Sequence, residues 1–114
     1  MNLCDPHLEL RFMKTILSGA SHLFYQTDKT WFATSEIGEI WDRINTLNRN
    51  GKEIPSLYSL SEDFVLSDAA RGFLKGDIPI FQSTEYSYAM DELDYYRKGR
   101  VLYKVLAEST AAIS

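Results

Sequence analysis

Apolar positions along this chain recur mainly at helical spacing. Leu8, Phe12 and Ile16 fall every four residues, Met13 and Leu17 widen the stripe, and Gly19 ends it. Asp5-Pro6 supplies an N-cap and a first-turn proline for that helix, because the N–H that proline lacks has no helical partner there. Ser21 is placed to cap a short turn through His22-Leu23-Phe24-Tyr25. Thr34 or Ser35 starts a longer helix whose Ile37, Ile40, Trp41, Ile44 and Leu47 share one face, and Asn50-Gly51 stops it. Its other face, with Glu39, Asp42, Arg43 and Arg49, reads as solvated surface.

The segment Lys52-Glu53-Ile54-Pro55 is expected to be extended, since the residue before proline avoids the α region. Ser56 then caps a short helix carrying Leu57, Leu60 and Phe64. Ser67-Asp68 starts another through Ala70, Phe73 and Leu74, closed by Gly76. Ile78-Pro79-Ile80-Phe81 is the single candidate strand, and a proline inside so short a run makes it an ordered linker instead. From Ser83-Thr84 a helical pattern continues to about Thr110, interrupted only by Gly99. The pattern therefore predicts an all-α fold with a head of about five helices at residues 5–76. A linker at 77–83 and a long helix at 84–110 complete it.

The last helix is the informative element. Its carboxylates (Glu85, Asp91, Glu92, Asp94) lie toward its start and its cations (Arg97, Lys98, Arg100, Lys104) toward its end, the order that complements a helix dipole. Asp94 and Lys98 form an i, i+4 pair. Some 27 residues span roughly 40 Å at 1.5 Å each, more than the ~34 Å diameter of a compact chain this size. Val101, Leu102, Tyr103, Val105 and Leu106 cover more than one face, and five of the seven tyrosines lie in this segment. Both features favour contact with another protein. Leu93, Tyr96, Leu102, Tyr103 and Leu106 are the candidate contact residues, with Arg97 and Arg100 as candidates for pairing across the interface.

Composition narrows the classes without naming an activity. The 114 residues fit one domain, and 45% apolar with 25% charged is ordinary for a globular chain. A formal charge of −4 argues against a dedicated duplex binder. No apolar run approaches the ~20 residues of a membrane span. A single cysteine, Cys4, suits a reducing cytoplasm. His7 and His22 have no Cys or carboxylate at ligand spacing, so no metal site is expected. Neither a G-x-x-x-x-G-K-[ST] loop nor a G-x-G-x-x-G appears, and the adjacent pairs Glu62-Asp63 and Asp91-Glu92 diverge by about 100° on a helix. No catalytic residue is assigned. Residues 56–76, which could form a helix-turn-helix, carry Glu62, Asp63 and Asp68 against Arg71 and Lys75, the wrong sign for a recognition element.

In helix order the chain resembles the N-terminal domain of DnaB-type replicative DNA helicases, especially divergent phage members. The likeness runs from the stripe Leu8–Leu17 through Phe24, Trp31-Phe32 and the helix Ile37–Leu47. It continues with Asn50-Gly51-Lys52 and Ile54-Pro55-Ser56-Leu57, then Tyr95-Tyr96-Arg97 and Leu102, Val105 and Leu106. It covers residues 5–110 and rests on spacing and a few anchors, not on a catalytic signature. It implies a non-catalytic helical head and the first arm of a hairpin that dimerises and helps form the collar of a hexameric ring. Primase, and in some systems a loader, would dock on it. ATP and magnesium would belong to a separate C-terminal motor domain, so this chain is expected to bind no cofactor and to contact DNA weakly or not at all. It would be a cytoplasmic part of a longer protein, since the second hairpin arm is missing. The alternative is a small phage or bacterial regulator that binds DNA or another protein.

Overall fold

Asp5 opens the first helix as its sequence requires, its carboxylate accepting the Leu8 amide at 3.1 Å with Pro6 in the first turn. In the computed structural model, which describes residues 3–113, this helix α1 (Pro6–Leu17) is the central element of the head. The described residues form five α-helices and three short 3-10 turns with no strand, so the protein is all-α. Phe12, Met13 and Ile16 have essentially no exposed surface. Part of the polar side of α1 is also covered, since Glu9, Lys14 and Thr15 are buried.

Those buried polar groups are the stitches of the fold. Glu9 accepts the backbone amides of Ala33 at 3.1 Å and Thr34 at 2.9 Å, just before α2 (Ser35–Arg49). Thr34 is the N-cap residue, yet its own side chain makes no cap bond. A carboxylate from another helix satisfies amides there instead. Lys14 reaches the carbonyl of Gly76. Arg11 donates to the Pro79 carbonyl at 2.9 Å and lies over the Phe81 ring at 4.0 Å. The Thr15 hydroxyl donates to the Arg11 carbonyl at 2.7 Å and accepts the Phe81 amide at 2.9 Å. The segment around Ile78–Phe81 is thus extended and ordered without being a strand, held by side chains of α1 rather than by a ladder.

Gly19, at φ +127°, turns the chain after α1, a conformation L residues rarely adopt. A 3-10 turn at Ser21–Gln26 follows, capped from Ala20 without a side-chain bond, so Ser21 is not the cap its type suggested. Asp28 caps a second 3-10 turn, Lys29–Trp31, through the Thr30 amide at 2.8 Å. In α2 the apolar face is as expected: Ile37, Ile40 and Ile44 are buried, and Trp41 stacks on Phe24 with centroids 5.0 Å apart. Its polar face is less idle than a solvated surface. Asp42 pairs with Lys29 at 2.6 Å, Arg43 with Asp63 at 2.7 Å, and Glu39 accepts both the amide and the hydroxyl of Ser67.

Ser56 caps α3 (Leu57–Ser61) and Ser67 caps α4 (Asp68–Lys75), each through its hydroxyl. Helix α3 ends before Phe64, which stands in the following turn rather than on an apolar helix face. A 3-10 turn at Ser83–Glu85, closed by reciprocal Gln82 and Glu85 bonds, leads into α5 (Tyr86–Ile113). Ala89 and Leu93 of α5 lie in the same core as Phe12 and Ile40. The core therefore continues past residue 76, through the expected linker at residues 77–83 and into the expected helix at 84–110. Phe81 and the first half of α5 belong to the head, and only the part beyond Arg100 leaves it. The extents are 49 × 32 × 27 Å with a radius of gyration of 15.3 Å, above the ~13 Å of a compact chain of this length, as a projecting helix requires.

Candidate protein-interaction surface

Helix α5 holds all seven of the expected contact residues, and the structure divides them into three groups. Leu93 is 1% exposed, so it is a core residue and not part of a contact surface in this fold. It falls on the side of α5 that docks on the head, which periodicity within one helix does not distinguish from the outer side.

Tyr96, Arg97 and Arg100 are half-buried at the join between arm and head. Arg97 donates to Asp94 at 2.9 Å and lies 4.8 Å from the Trp31 ring centre. Arg100 donates to the carbonyls of Leu3 at 2.8 Å and Thr30 at 2.7 Å. Both guanidinium groups thus tie α5 to its own head. Asp94 also takes Lys98 at 2.9 Å, the expected i, i+4 pair. Hydrogen bonds from Lys98 and Arg97 hold its carboxyl below the ordinary range, outweighing desolvation. The Tyr96 hydroxyl is pushed upward by desolvation, aided by the carboxylates of Asp5 and Glu92.

Leu102, Tyr103 and Leu106 form the third group and are exposed, as are Val101 and Val105. At about 100° per residue, Val101, Leu102, Val105 and Leu106 fall within roughly 140° of one another. The residues that anchor α5 to the head (Ala89, Leu93, Arg97, Arg100) centre about 150° away around the axis. The stripe therefore faces away from the head. Farther back on the same side, Tyr88 and Tyr95 precede Leu102 at seven-residue steps, all three exposed.

A second exposed apolar surface escapes a reading of the sequence. Phe64 is 83% exposed, with Val65 and Tyr58 also in solvent. Phe64 follows Leu57 and Leu60 at helical spacing, which makes it look like a core position. Only the end of α3 at Ser61 turns it outward.

The head also carries a cleft of about 360 Å3 between the Ser21–Gln26 turn and α5, lined by His22, Trp31, Tyr86, Met90, Asp91 and Asp94 among others. His22 lies against Tyr86 there in a tilted contact, with centroids 5.7 Å apart. Among the described residues no group of three or more His, Cys, Asp or Glu is arranged to hold a metal ion. His7 and His22 are exposed. Among the described residues no helix is long and apolar enough to cross a membrane. Compared with known proteins, the chain matches no family model, and no curated protein or solved structure is significantly similar to it.

Proposed function

We propose that this chain is a non-catalytic assembly and partner-docking module that joins other proteins through the distal half of α5. The observation that carries the reading is the stripe Val101, Leu102 and Val105 standing clear of the head on its outward side. Helices expose such stripes at a cost unless another surface covers them, since burying each side chain is worth ~1.5–3 kcal/mol. Arg97 over the Trp31 ring and Arg100 on the Leu3 and Thr30 carbonyls tie the base of the arm to the head, so the stripe is presented in a defined place.

The finer form of the proposal is the N-terminal collar domain of a cytoplasmic replicative DNA helicase of the DnaB type. Copies of the chain would associate in a dimer or hexameric ring, and the head would receive primase or a loader. The supporting feature is the succession of helices and stops, from the Leu8–Leu17 stripe to Tyr95-Tyr96-Arg97, now on an all-α head with a projecting helix. ATP, magnesium and the main DNA contacts would belong to a motor domain elsewhere in such a protein.

Sedimentation velocity across a concentration series tests the assembly reading, with mass expected to rise above that of a single chain. A strict monomer throughout would remove self-association. The helicase reading has its own check in the reading frame beyond Ser114. A continuation with a phosphate-binding loop supports it, whereas an immediate stop codon sinks it.

A further inference from the structure

We propose that the arm of one copy docks on the turn between α3 and α4 of a second copy, so that copies join head to tail. The inference rests on α5 being the assembly element and names the surface that receives it.

The receiving turn is braced from α2 at two points. One oxygen of Asp63 accepts Arg43 at 2.7 Å, and its other oxygen accepts the Val65 amide at 2.9 Å. The Glu39 carboxylate takes the Ser67 amide at 2.7 Å and the Ser67 hydroxyl at 2.8 Å. Leu66 is pinned in the core between them, and the Arg71 guanidinium sits 4.5 Å from the Phe64 ring centre. A segment held this firmly nevertheless puts Phe64 and Val65 in solvent. Its ordering entropy is already lost in the free protein, so docking on it loses little more. Phe64 and Tyr58 together expose on the order of 300 Å2, taking 150–250 Å2 for an aromatic side chain, a substantial part of the ~800 Å2 each partner buries in a stable interface.

Charge selects the occupant. Beside Val65 and Leu66 runs a cleft of about 240 Å3 between α2 and the turn, with Thr46 on its wall and Glu39 and Asp42 on its rim. Arg43, the third charged rim residue, pairs with Asp63, and Asp42 pairs with Lys29, so the rim with these partners (Glu39, Asp42 and Asp63 against Arg43 and Lys29) carries a net charge of −1. The cleft is thus apolar at its base with an acidic edge. The arm has the opposite character: a ridge of Val101, Leu102 and Val105, with Lys98 at its head end and Lys104 on its flank. Across residues 94–108 its charges are Arg97, Lys98, Arg100 and Lys104 against Asp94 and Glu108, a net of +2, with Asp94 pairing Arg97 and Lys98. An amphipathic helix laid in a complementary groove is a common recognition mode. Helix α5 is anchored on α1 and the Lys29–Trp31 turn, whereas the receiving turn packs with α2. A straight helix leading off the head does not fold back onto its own receiving turn, so the contact is between copies. Such a heterologous contact yields a ring if the rotation closes and a filament if it does not.

Two single-site variants of the full chain, Leu102→Asp on the arm and Val65→Asp on the turn, test the pairing by sedimentation velocity. Both side chains are exposed, so melting temperatures should match the wild type and exclude misfolding as the cause. Each variant alone should remain monomeric, because every contact needs one arm and one turn. Mixed in equal amounts they should form dimers and nothing larger, since one intact arm then meets one intact turn. As a second arm, Lys104→Glu and Asp42→Lys should each weaken wild-type association at least tenfold and recover most of it when combined in one chain. If Leu102→Asp is monomeric while Val65→Asp assembles like the wild type, arm-to-turn docking is wrong and the assembly reading stands. A mixture that stays monomeric also overturns it, and a monomeric wild type removes both.

Discussion

At the residue scale, buried polar side chains decide more of this structure than their number suggests. Glu9 is the clearest case, a carboxylate inside the head whose two oxygens serve amides 24 and 25 residues away. Glu9→Ala should lower stability by about 1–3 kcal/mol, because two amides at the start of α2, one of them half-buried, lose their acceptor. Glu9→Gln should lose less, and urea denaturation would measure both. Asp63 has a pH signature. Burial raises its pKa, but the Arg43 hydrogen bond, the Val65 amide and the charges of Arg43 and Arg71 together bring it below the ordinary value. A folded-state pKa below the unfolded one, ~4 for Asp, means the stabilisation is present above that value. It is lost as pH falls through the folded pKa. Stability measured between about pH 5 and pH 2 should therefore decline less steeply in Asp63→Asn than in the wild type; identical slopes would refute this. The caps at Asp5, Ser56 and Ser67 were legible in the sequence because each bonds an amide three residues on. Glu9, Glu39 and Arg43 were not, since their partners lie 20 or more residues distant and only the fold brings them near.

At the element scale, α5 is one helix with two environments. Its first half contributes Ala89 and Leu93 to the core, and its second half is solvated on every side through Ser109. Leu93→Ala should cost 2–5 kcal/mol through the cavity it leaves, by analogy with other buried leucines, so about that much. Leu102→Ala should change stability by no more than about 0.5 kcal/mol in the monomer. Thermal melts of the two variants at low protein concentration would separate them, and equal losses would contradict the division. Helix positions were readable from periodicity because a stripe of Ile37, Ile40 and Ile44 has only one economical geometry. The end of α3 was harder to see. Phe64 keeps the helical spacing of Leu57 and Leu60, yet the helix stops at Ser61 and the Asp63 side chain turns the chain instead.

At the scale of the whole molecule, a head built around α1 carries a projecting arm at one place and the braced Phe64–Val65 turn at another. Deleting the residues after Arg100 should leave the melting temperature of the head nearly unchanged while abolishing self-association, as calorimetry and sedimentation would show. A large loss of stability would place the arm inside the folding unit. The sequence by itself determined that the chain is all-α, where most helices begin and end, and that its last helix is too long for a compact head. Those properties are local, set by caps, periodicity and length. Only the tertiary structure decided that Leu93 faces inward and Leu102 outward, that Arg97 and Arg100 hold their own head, and that Phe64 is exposed. Each of these depends on which surface meets which. Spacing along one helix fixes relative angles but leaves open which side the rest of the chain will cover.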